Sequence, residues 1–337
     1  MLRIALPSDG ELYEPTLQFL RLCGMPVQRI SLRRYTATIP SLPYATVLFQ
    51  RSADITSKVD EGSADMGVVG LDRFLEGRLE EGNTLLVMDD LGFGECDLVI
   101  GVPDTWVDVT SMADLADLSV EFRDQGRELR VATKFPRQVQ HFLLEKGVNY
   151  YTLVQASGTL EAAPAMGFAD IIGDISASGA TLRENRLKTL EDGTILTSQA
   201  CLIANPSMLA REQDKLQEAR SLLERVEGYL RSQDFYTLTA NIQGNSAEEV
   251  SAYLVARRQV AGLRGPTVAK VYASDMDDWY AATIVVPKKL LMDAVTHLRE
   301  VGAKDITIFQ PNYVLHDECK GYSKLLKAID KESLAQL

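Results

Sequence analysis

Histidine is scarce in this chain. His141, His297 and His316 are the only three among 337 residues, and they lie far apart. The four cysteines, Cys23, Cys96, Cys201 and Cys319, are equally scattered, with no C-x-x-C pair. A zinc site built by the protein needs several such ligands at short spacing, so none is expected. The first residues run straight into a strand-like segment without a signal-peptide pattern, and isolated thiols then read as reduced, buried small hydrophobes. No apolar run approaches the roughly 18–20 residues that cross a bilayer. The expectation is a cytoplasmic protein with no membrane partner. Positive charge is short as well: 35 Lys and Arg stand against 47 Asp and Glu, for a net charge of −12. Non-specific nucleic-acid binding needs a basic face, so no nucleic acid is expected as a partner. A small polyanion is not excluded, because charge acts locally. Arg29, Arg33, Arg34 and Arg51 concentrate cations near the start, whereas acids in runs such as 76–81 read as solvated surface.

What is present is an ordinary globular composition, 46% hydrophobic, in a chain long enough for two or three domains. Residues 2–6 read as a buried strand ended by Pro7. A Ser8-Asp9-Gly10 turn leads to a helix with Pro15 in its first turn, Leu17, Leu20 and Cys23 inward, and Gly24 as its stop. Strand 46–50, helix 53–61, strand 66–69, helix 71–77 and strands 85–88 and 98–102 follow. A second unit of the same kind starts near residue 96, with helix 111–118, strand 129–133, helix 137–146, strand 151–155, helix 160–166 and strand 170–175. Strands alternating with helices imply mostly parallel sheets covered on both faces. Residues 187–190 and 194–203 read as paired strands around the Glu191-Asp192-Gly193 turn.

Residues 209–232 form one long charged helix with Leu216, Leu222, Leu223, Val226 and Leu230 as its stripe. Strand 235–242, helix 246–256, strands 267–273 and 280–286, helix 288–301 and strand 305–309 come next. That β-α-β-β-α-β order is ferredoxin-like, with Pro287 opening the last helix and Gly302 closing it. The tail beyond about residue 317 is polar, with a short final helix.

The most informative stretch is 161–182, EAAPAMGFADIIGDISASGATL. Asp170 to Ile175 is a short apolar strand with an acid near its end. Ser176, Ala177, Ser178, Gly179, Ala180 and Thr181 then lead into the Leu182 helix. Small residues let a phosphate approach the backbone, loop N–H groups and hydroxyls can point at it, and a helix N-terminus favours negative charge. Asp174 would repel phosphate, so its natural partner is a sugar hydroxyl or a magnesium ion. The stretch suggests a site for a phosphorylated sugar; an ordinary βα turn is the plainer alternative.

Glu161, Gly167, Ala169, Ile172, Asp174, Ser178, Gly179, Thr181 and Leu182 together resemble the signature of the ATP phosphoribosyltransferases. Further pieces resemble that family in the same order. They are residues 4–7, Leu48-Phe49-Gln50-Arg51 with Asp54-Ile55, Gly70-Leu71-Asp72, Leu91-Gly92-Phe93-Gly94 with Cys96, Ala132-Thr133-Lys134-Phe135-Pro136, and Ser198, Ala200, Cys201 and Leu202. The match covers at least residues 1–205, and the remainder suits the long form of the family, which carries a regulatory domain.

The resemblance implies an α/β fold of two periplasmic-binding-protein-like catalytic domains plus a C-terminal ferredoxin-like (ACT-like) regulatory domain. Domain I would be 1–94 plus 184–208, domain II 95–183, and the linker helix with the regulatory domain 209–337. It implies transfer of phosphoribosyl from phosphoribosyl pyrophosphate to N1 of the adenine of ATP, the first step of histidine biosynthesis, with Mg2+ carried by the substrates. The loop 176–181 would cradle the 5′-phosphate, while Asp174 and Glu161 would face ribose hydroxyls or the metal. Gly10, Arg34, Arg51 and Asp72 would serve ATP, Arg51 also the leaving group. Plainer roles exist for each: Glu161 as a first-turn helix acid, Arg51 in a surface ion pair, Asp72 as a helix cap. Lys134 is either a phosphate contact or solvated.

The long form implies inhibition by histidine, with Leu263 and Thr267 in the segment leading into the regulatory domain, and a dimeric or hexameric homo-oligomer; a plain Gly-Pro turn is the bland alternative there. One departure stands out. The family commonly carries a basic pair in a P-K-G-R-L-like segment, whereas this chain has acids, Asp9 and Glu11. They weaken attraction for ATP unless Arg33, Arg34 or Arg3 takes over. They also leave open a non-catalytic solute- or amino-acid-binding sensor, or a phosphoribosyltransferase acting on another base.

Overall fold

Short apolar runs bounded by Gly, Pro, Ser and Asp turns become the strands. The computed structural model describes residues 1–31, 33–155, 160–272 and 278–335, and orders those strands into three sheets. The chain begins with β1 (Leu2–Pro7), α1 (Tyr13–Leu22), β2 (Thr36–Thr38), β3 (Ala45–Gln50), α2 (Ser52–Asp60), β4 (Met66–Gly70), α3 (Leu71–Gly77) and β5 (Leu85–Met88). It then crosses to a second lobe with β6 (Cys96–Pro103), α4 (Met112–Asp124), β7 (Leu129–Thr133), α5 (Pro136–Glu145), β8 (Tyr151–Gln155), β9 (Ile171–Ser176), α6 (Ala180–Glu184) and β10 (Leu187–Ser198). It returns to the first lobe as β11 (Ala200–Ala204), followed by α7 (Pro206–Ala210) and α8 (Gln213–Ser232). Two α/β lobes joined by an outward and a return crossing are the arrangement of periplasmic binding proteins.

In the first sheet β1 lies parallel to β3 and β4, with Leu2 opposite Ala45 and Ile4 opposite Met66. β11 runs antiparallel to both β4 and β5, so the sheet, ordered β2-β3-β1-β4-β11-β5, is mixed rather than mostly parallel. β11 arrives from the other lobe instead of through a βαβ crossover, so nothing constrains it to the parallel sense. Every residue of β4 and β11 is buried, as a strand covered on both faces requires. On one face Ile55, Val59 and Phe74 of the helices pack on Ala5, Val69, Cys201 and Ile203.

The second sheet is ordered β10-β6-β9-β7-β8, with β7 parallel to β8 and β9, and β6 antiparallel to β9 and β10. Alternation divides its residues between two cores. Leu98, Ile100 and Val102 join Leu115, Phe122, Val139 and Leu143, while Val99 joins Ile172 and Leu182.

Residues 187–203 do not form a hairpin. β10 is one long strand laid along β6, from Leu187 opposite Pro103 to Ser198 opposite Cys96, with a register shift between Thr189 and Thr194. Its middle bulges where the Asp192 carboxylate accepts the Met112 N–H at 2.8 Å and faces Lys146 at 3.3 Å. The return to the first lobe therefore falls at Gln199, between β10 and β11, and not at residue 184. The helix expected over 209–232 is likewise two helices: Asn205 caps α7 by accepting the Met208 N–H at 3.1 Å, and α8 starts afresh at Gln213. Lys215 of α8 is buried against Asp65 at 3.3 Å, a carboxylate that also holds Arg3 at 2.8 Å.

All four cysteines are free thiols: Cys23 and Cys201 are buried, Cys96 and Cys319 half-buried. Burial pushes the Cys23 thiol up to about 12. Among the described residues no helix is long and apolar enough to cross a membrane.

The chain divides into two units, the first holding both sheets above and the second the four-stranded sheet. That second unit contains β12 (Phe235–Gln243), α9 (Ala247–Val255), β13 (Thr267–Val271), β14 (Trp279–Pro287), α10 (Leu291–Glu300) and β15 (Lys304–Phe309). All neighbours in its sheet, ordered β13-β14-β12-β15, are antiparallel. This is the ferredoxin-like, ACT-like arrangement, with Leu238, Ile242, Tyr280 and Ile284 packed on Val250, Leu254, Ala294 and Leu298. Pro287 ends β14 instead of opening a helix. Asp234 O takes the Lys288 N–H at 2.7 Å, a 3-10 turn spans Lys288–Leu290, and α10 starts at Leu291. Strand 267–273 ends at Val271, and residue 273 lies outside the described residues. The final helix, α11 (Lys320–Ala335), is longer than its polar sequence suggests.

Candidate active site

Ligands of parallel α/β sheets bind beyond the C-terminal ends of the strands, where the backbone leaves the sheet. In the second lobe β7 and β9 are parallel neighbours, and their C-terminal ends carry Lys134 and Asp174. Asp174 is 8% exposed and accepts the Ile175 N–H at 2.9 Å. Burial raises its pKa above the usual carboxylate value and the neighbouring Glu161 pushes the same way, while the Ile175 N–H, Lys134 and Arg73 pull it down. Two acids and two cations thus gather at the foot of one loop.

That loop is preset by its own hydroxyls. Ser176 Oγ accepts the Gly179 N–H at 3.0 Å, and Ser178 Oγ accepts the Ala180 N–H at 3.4 Å. Gly179 is left-handed, with φ +70°, and a Cβ there would meet Arg183 Nη1 at 2.8 Å. Arg183 Nη2 donates to Ser178 O at 3.2 Å, and Leu182 anchors the following turn in the core shared with Ile172. Ala177, Ser178, Ala180 and Thr181 are exposed just beyond the end of β9. Glu161 stands on a single 3-10 turn, Leu160–Ala162, rather than on a helix over 160–166, and buried Leu160 ties that turn to the same core. Residues 156–159 lie outside the described residues.

The first lobe repeats the geometry. The C-terminal ends of parallel β1, β3 and β4 bring forward Ser8-Asp9-Gly10, Arg51 and Asp72. A cavity of about 660 Å³ opens there, lined by Ser8, Asp9, Tyr13, Arg29, Tyr35, Phe49, Gln50, Arg51 and Asp54. Of the four residues expected at ATP, Arg51 lines it. Gly10, with φ +76°, follows the lining residue Asp9. Arg34 is exposed and is not among the lining residues; its carbonyl accepts Arg29 Nε at 2.8 Å. Arg51 precedes α2 without a side-chain cap bond, and its side chain makes no hydrogen bond or ion pair among the described residues.

Asp72 is 5% exposed and neither caps α3, whose N-cap is Gly70, nor lines the cavity. Its carboxylate accepts the Ser198 hydroxyl at 2.7 Å, while that hydroxyl accepts the Asp72 N–H at 3.0 Å. Ser198 ends a strand of the second lobe's sheet, so the pair joins the lobes. Sequence reasoning missed Arg73, which makes a second joint: its guanidinium lies 4.0 Å from the Phe135 ring centre and Nη1 donates to Lys134 O at 3.2 Å. Glu76 makes a third, accepting the Arg137 and Gln138 N–H groups at the start of α5, each at 3.0 Å. No local pattern marks these residues, because their partners come from distant sequence.

In the second unit Leu263 is 50% exposed, and Thr267 opens β13 opposite Thr283. Gly265, two residues before Thr267, has φ +131°, so this segment turns where few residues but glycine can follow.

Asp174 and Glu161 suit a hard cation that brings further oxygen ligands with a substrate. Among the described residues no group of three or more His, Cys, Asp or Glu could hold one unaided.

Comparison with known proteins accords with this geometry. The ATP phosphoribosyltransferase family model matches residues 51–228, and the model described as HisG, C-terminal domain, matches residues 232–312. ATP phosphoribosyltransferase 1, chloroplastic, of Arabidopsis thaliana is 36% identical over 332 residues, which is 97% of this chain and 80% of that protein. The ATP phosphoribosyltransferase of Brucella anthropi is 42% identical over 228 residues, 67% of this chain and 98% of its own length. The solved ATP phosphoribosyl transferase (HisG:HisZ) complex from Thermotoga maritima matches with a TM-score of 0.50 at 25% identity, covering 67% of this chain and 99% of that one. With both family models matched in order, and a relative aligned to 97% of this chain, it belongs to the ATP phosphoribosyltransferase family in the form that carries a C-terminal domain.

Proposed function

We propose that the chain transfers phosphoribosyl from phosphoribosyl pyrophosphate to N1 of the adenine of ATP, as the first step of histidine biosynthesis. The observation that carries this is the loop Ser176–Thr181 set above buried Asp174, with Glu161, Lys134 and Arg73 grouped round it. A bond forms between the purine nitrogen and ribose C1 while the bond from C1 to the pyrophosphate oxygen breaks, with inversion. The nucleophile belongs to the substrate, so the protein has only to align two reactants and stabilise charge.

The 5′-phosphate takes the loop amides and the Ser178 and Thr181 hydroxyls. Asp174 and Glu161 face the ribose hydroxyls, and their negative charge favours the cationic sugar of the transition state. Lys134 and Arg73 stand on the side where pyrophosphate departs. Magnesium accompanies the substrates and screens their phosphates. Gly10, Arg34, Arg51 and Asp72 belong to the ATP side of this reading; the exposed Arg51 lines the first-lobe cavity and suits a phosphate of either reactant.

Catalysis is the work of the two lobes, domain I and domain II. The segment 209–337 regulates, with histidine bound near Leu263 and Thr267 and a homo-oligomer, dimer or hexamer, as the working state. The free thiols suit the cytoplasm. Pyrophosphate release tests the reading: it should require ATP, phosphoribosyl pyrophosphate and Mg2+ together. Release that persists without ATP, or a clear preference for another base in the mixture, would refute it.

A further inference from the structure

The first-lobe cavity contains two cations, Arg29 and Arg51, and two acids, Asp9 and Asp54. By simple count it is neutral, which ill suits a tetra-anionic nucleotide. We infer that Arg29 binds the triphosphate of ATP and supplies the positive charge that Asp9 and Glu11 withhold; this rests on the transferase reading above and deepens it.

The geometry is specific. The Arg29 guanidinium lies 4.1 Å from the centre of the Phe49 ring. Its Nε donates to Arg34 O at 2.8 Å and its Nη1 to the Tyr13 hydroxyl at 3.1 Å. Phe49 is 1% exposed, and Tyr13 meets it edge-on with ring centres 5.9 Å apart. A planar cation fixed on a buried ring by two hydrogen bonds loses little freedom when it grips an oxyanion. The Arg34 carbonyl and the Tyr13 hydroxyl that hold it are neutral oxygens, and Arg29 itself lines the cavity.

Screening decides between the opposed charges. Asp9 and Asp54 are exposed to water, whereas Arg29 is half-buried against the ring, where the effective dielectric is lower. The buried side of the cavity is therefore positive despite the equal count. The other basic groups do not fill this place. Arg3 is committed to Asp65 at 2.8 Å, and Arg33 and Arg34 are exposed and do not line the cavity.

The test uses the full chain. Arg29→Met keeps an apolar stem on Phe49 and removes the charge. Dissociation constants for ATP, adenosine and phosphoribosyl pyrophosphate are measured by calorimetry, alongside the melting temperature. ATP binding should weaken about tenfold to a hundredfold, with adenosine and phosphoribosyl pyrophosphate shifted less than about twofold. Adding Asp9→Lys to that variant should recover most of the ATP affinity. Should the Met variant melt more than about 5 °C early, Arg29→Gln takes its place, with the same outcomes. Unchanged ATP affinity, equal losses for ATP and adenosine, or no recovery with Asp9→Lys would each overturn the inference. A wild-type chain that releases no pyrophosphate from its two substrates would instead sink the transferase reading beneath it.

Discussion

Replacing Ser198 by alanine should loosen the joint between α3 and the end of β10. Ser198 is fully buried and Asp72 nearly so. One hydroxyl serves both polar groups of Asp72: it donates to the carboxylate at 2.7 Å and accepts the backbone N–H at 3.0 Å. Ser198→Ala removes both bonds and leaves a buried carboxylate oxygen and a buried amide short of partners. A hydrogen bond to a charged group contributes roughly 1.5–3 kcal/mol, and a stranded donor adds to that, so the cost is about 2–4 kcal/mol. For a body of this size each kcal/mol shifts Tm by about 2–4 °C, so a fall of about 4–16 °C is expected by calorimetry. Thr197→Ala is the control. Its hydroxyl, next to Ser198 on β10, also donates to an aspartate, Asp97 of the neighbouring β6 at 2.8 Å, but in water. That loss should cost under about 1 kcal/mol. Equal melting temperatures for the two variants would refute the argument, since Ser198 differs from Thr197 by its burial and by the second bond it makes to the Asp72 N–H. Activity carries a second readout: if Asp72 also serves ATP, Asp72→Asn should raise KM for ATP beyond any effect of Ser198→Ala.

Asp174→Asn should abolish most turnover, by about a hundredfold or more, while raising Tm at neutral pH. Burial raises the Asp174 pKa, so the folded chain keeps this proton to higher pH than the unfolded chain does; stability is lost as pH rises from roughly 4 through the raised value. Asparagine has no such loss, so its Tm advantage should be present at pH 7.5 and shrink toward pH 4; an advantage independent of pH would contradict the burial argument. Gly179→Ala forces a Cβ into a left-handed residue beside Arg183, at about 1–2 kcal/mol, and should raise KM for phosphoribosyl pyrophosphate roughly tenfold with KM for ATP little changed. Leu263→Glu and Thr267→Val should weaken inhibition by histidine about tenfold without altering the uninhibited rate; undiminished inhibition in both would place the effector elsewhere.

Much of this molecule is legible from short stretches of sequence. Strand β5 and helix α3 fall where apolar runs and turn residues place them, and the β-α-β-β-α-β order of the C-terminal unit follows from period and punctuation alone. The loop 176–181 is legible for the same reason: strand, small residues and helix start are contiguous, and each signals through its neighbours. Errors gather where distant residues decide. Helix 209–232 breaks because Asn205 caps a separate turn, and Pro287 loses the helix start to a carbonyl at Asp234.

Composition and local pattern, then, determined the classes of element, the three sheets' raw material and the strand–loop–helix order at 176–181, because periodicity and backbone preference act over a few residues. Tertiary structure alone decided which lobe receives β10 and β11, that Asp72 finds Ser198 from 126 residues away, and that Arg29 rests on Phe49. Those outcomes depend on pairing and burial between segments far apart in the chain, where the gain in free energy belongs to the contact and leaves no mark on either sequence by itself.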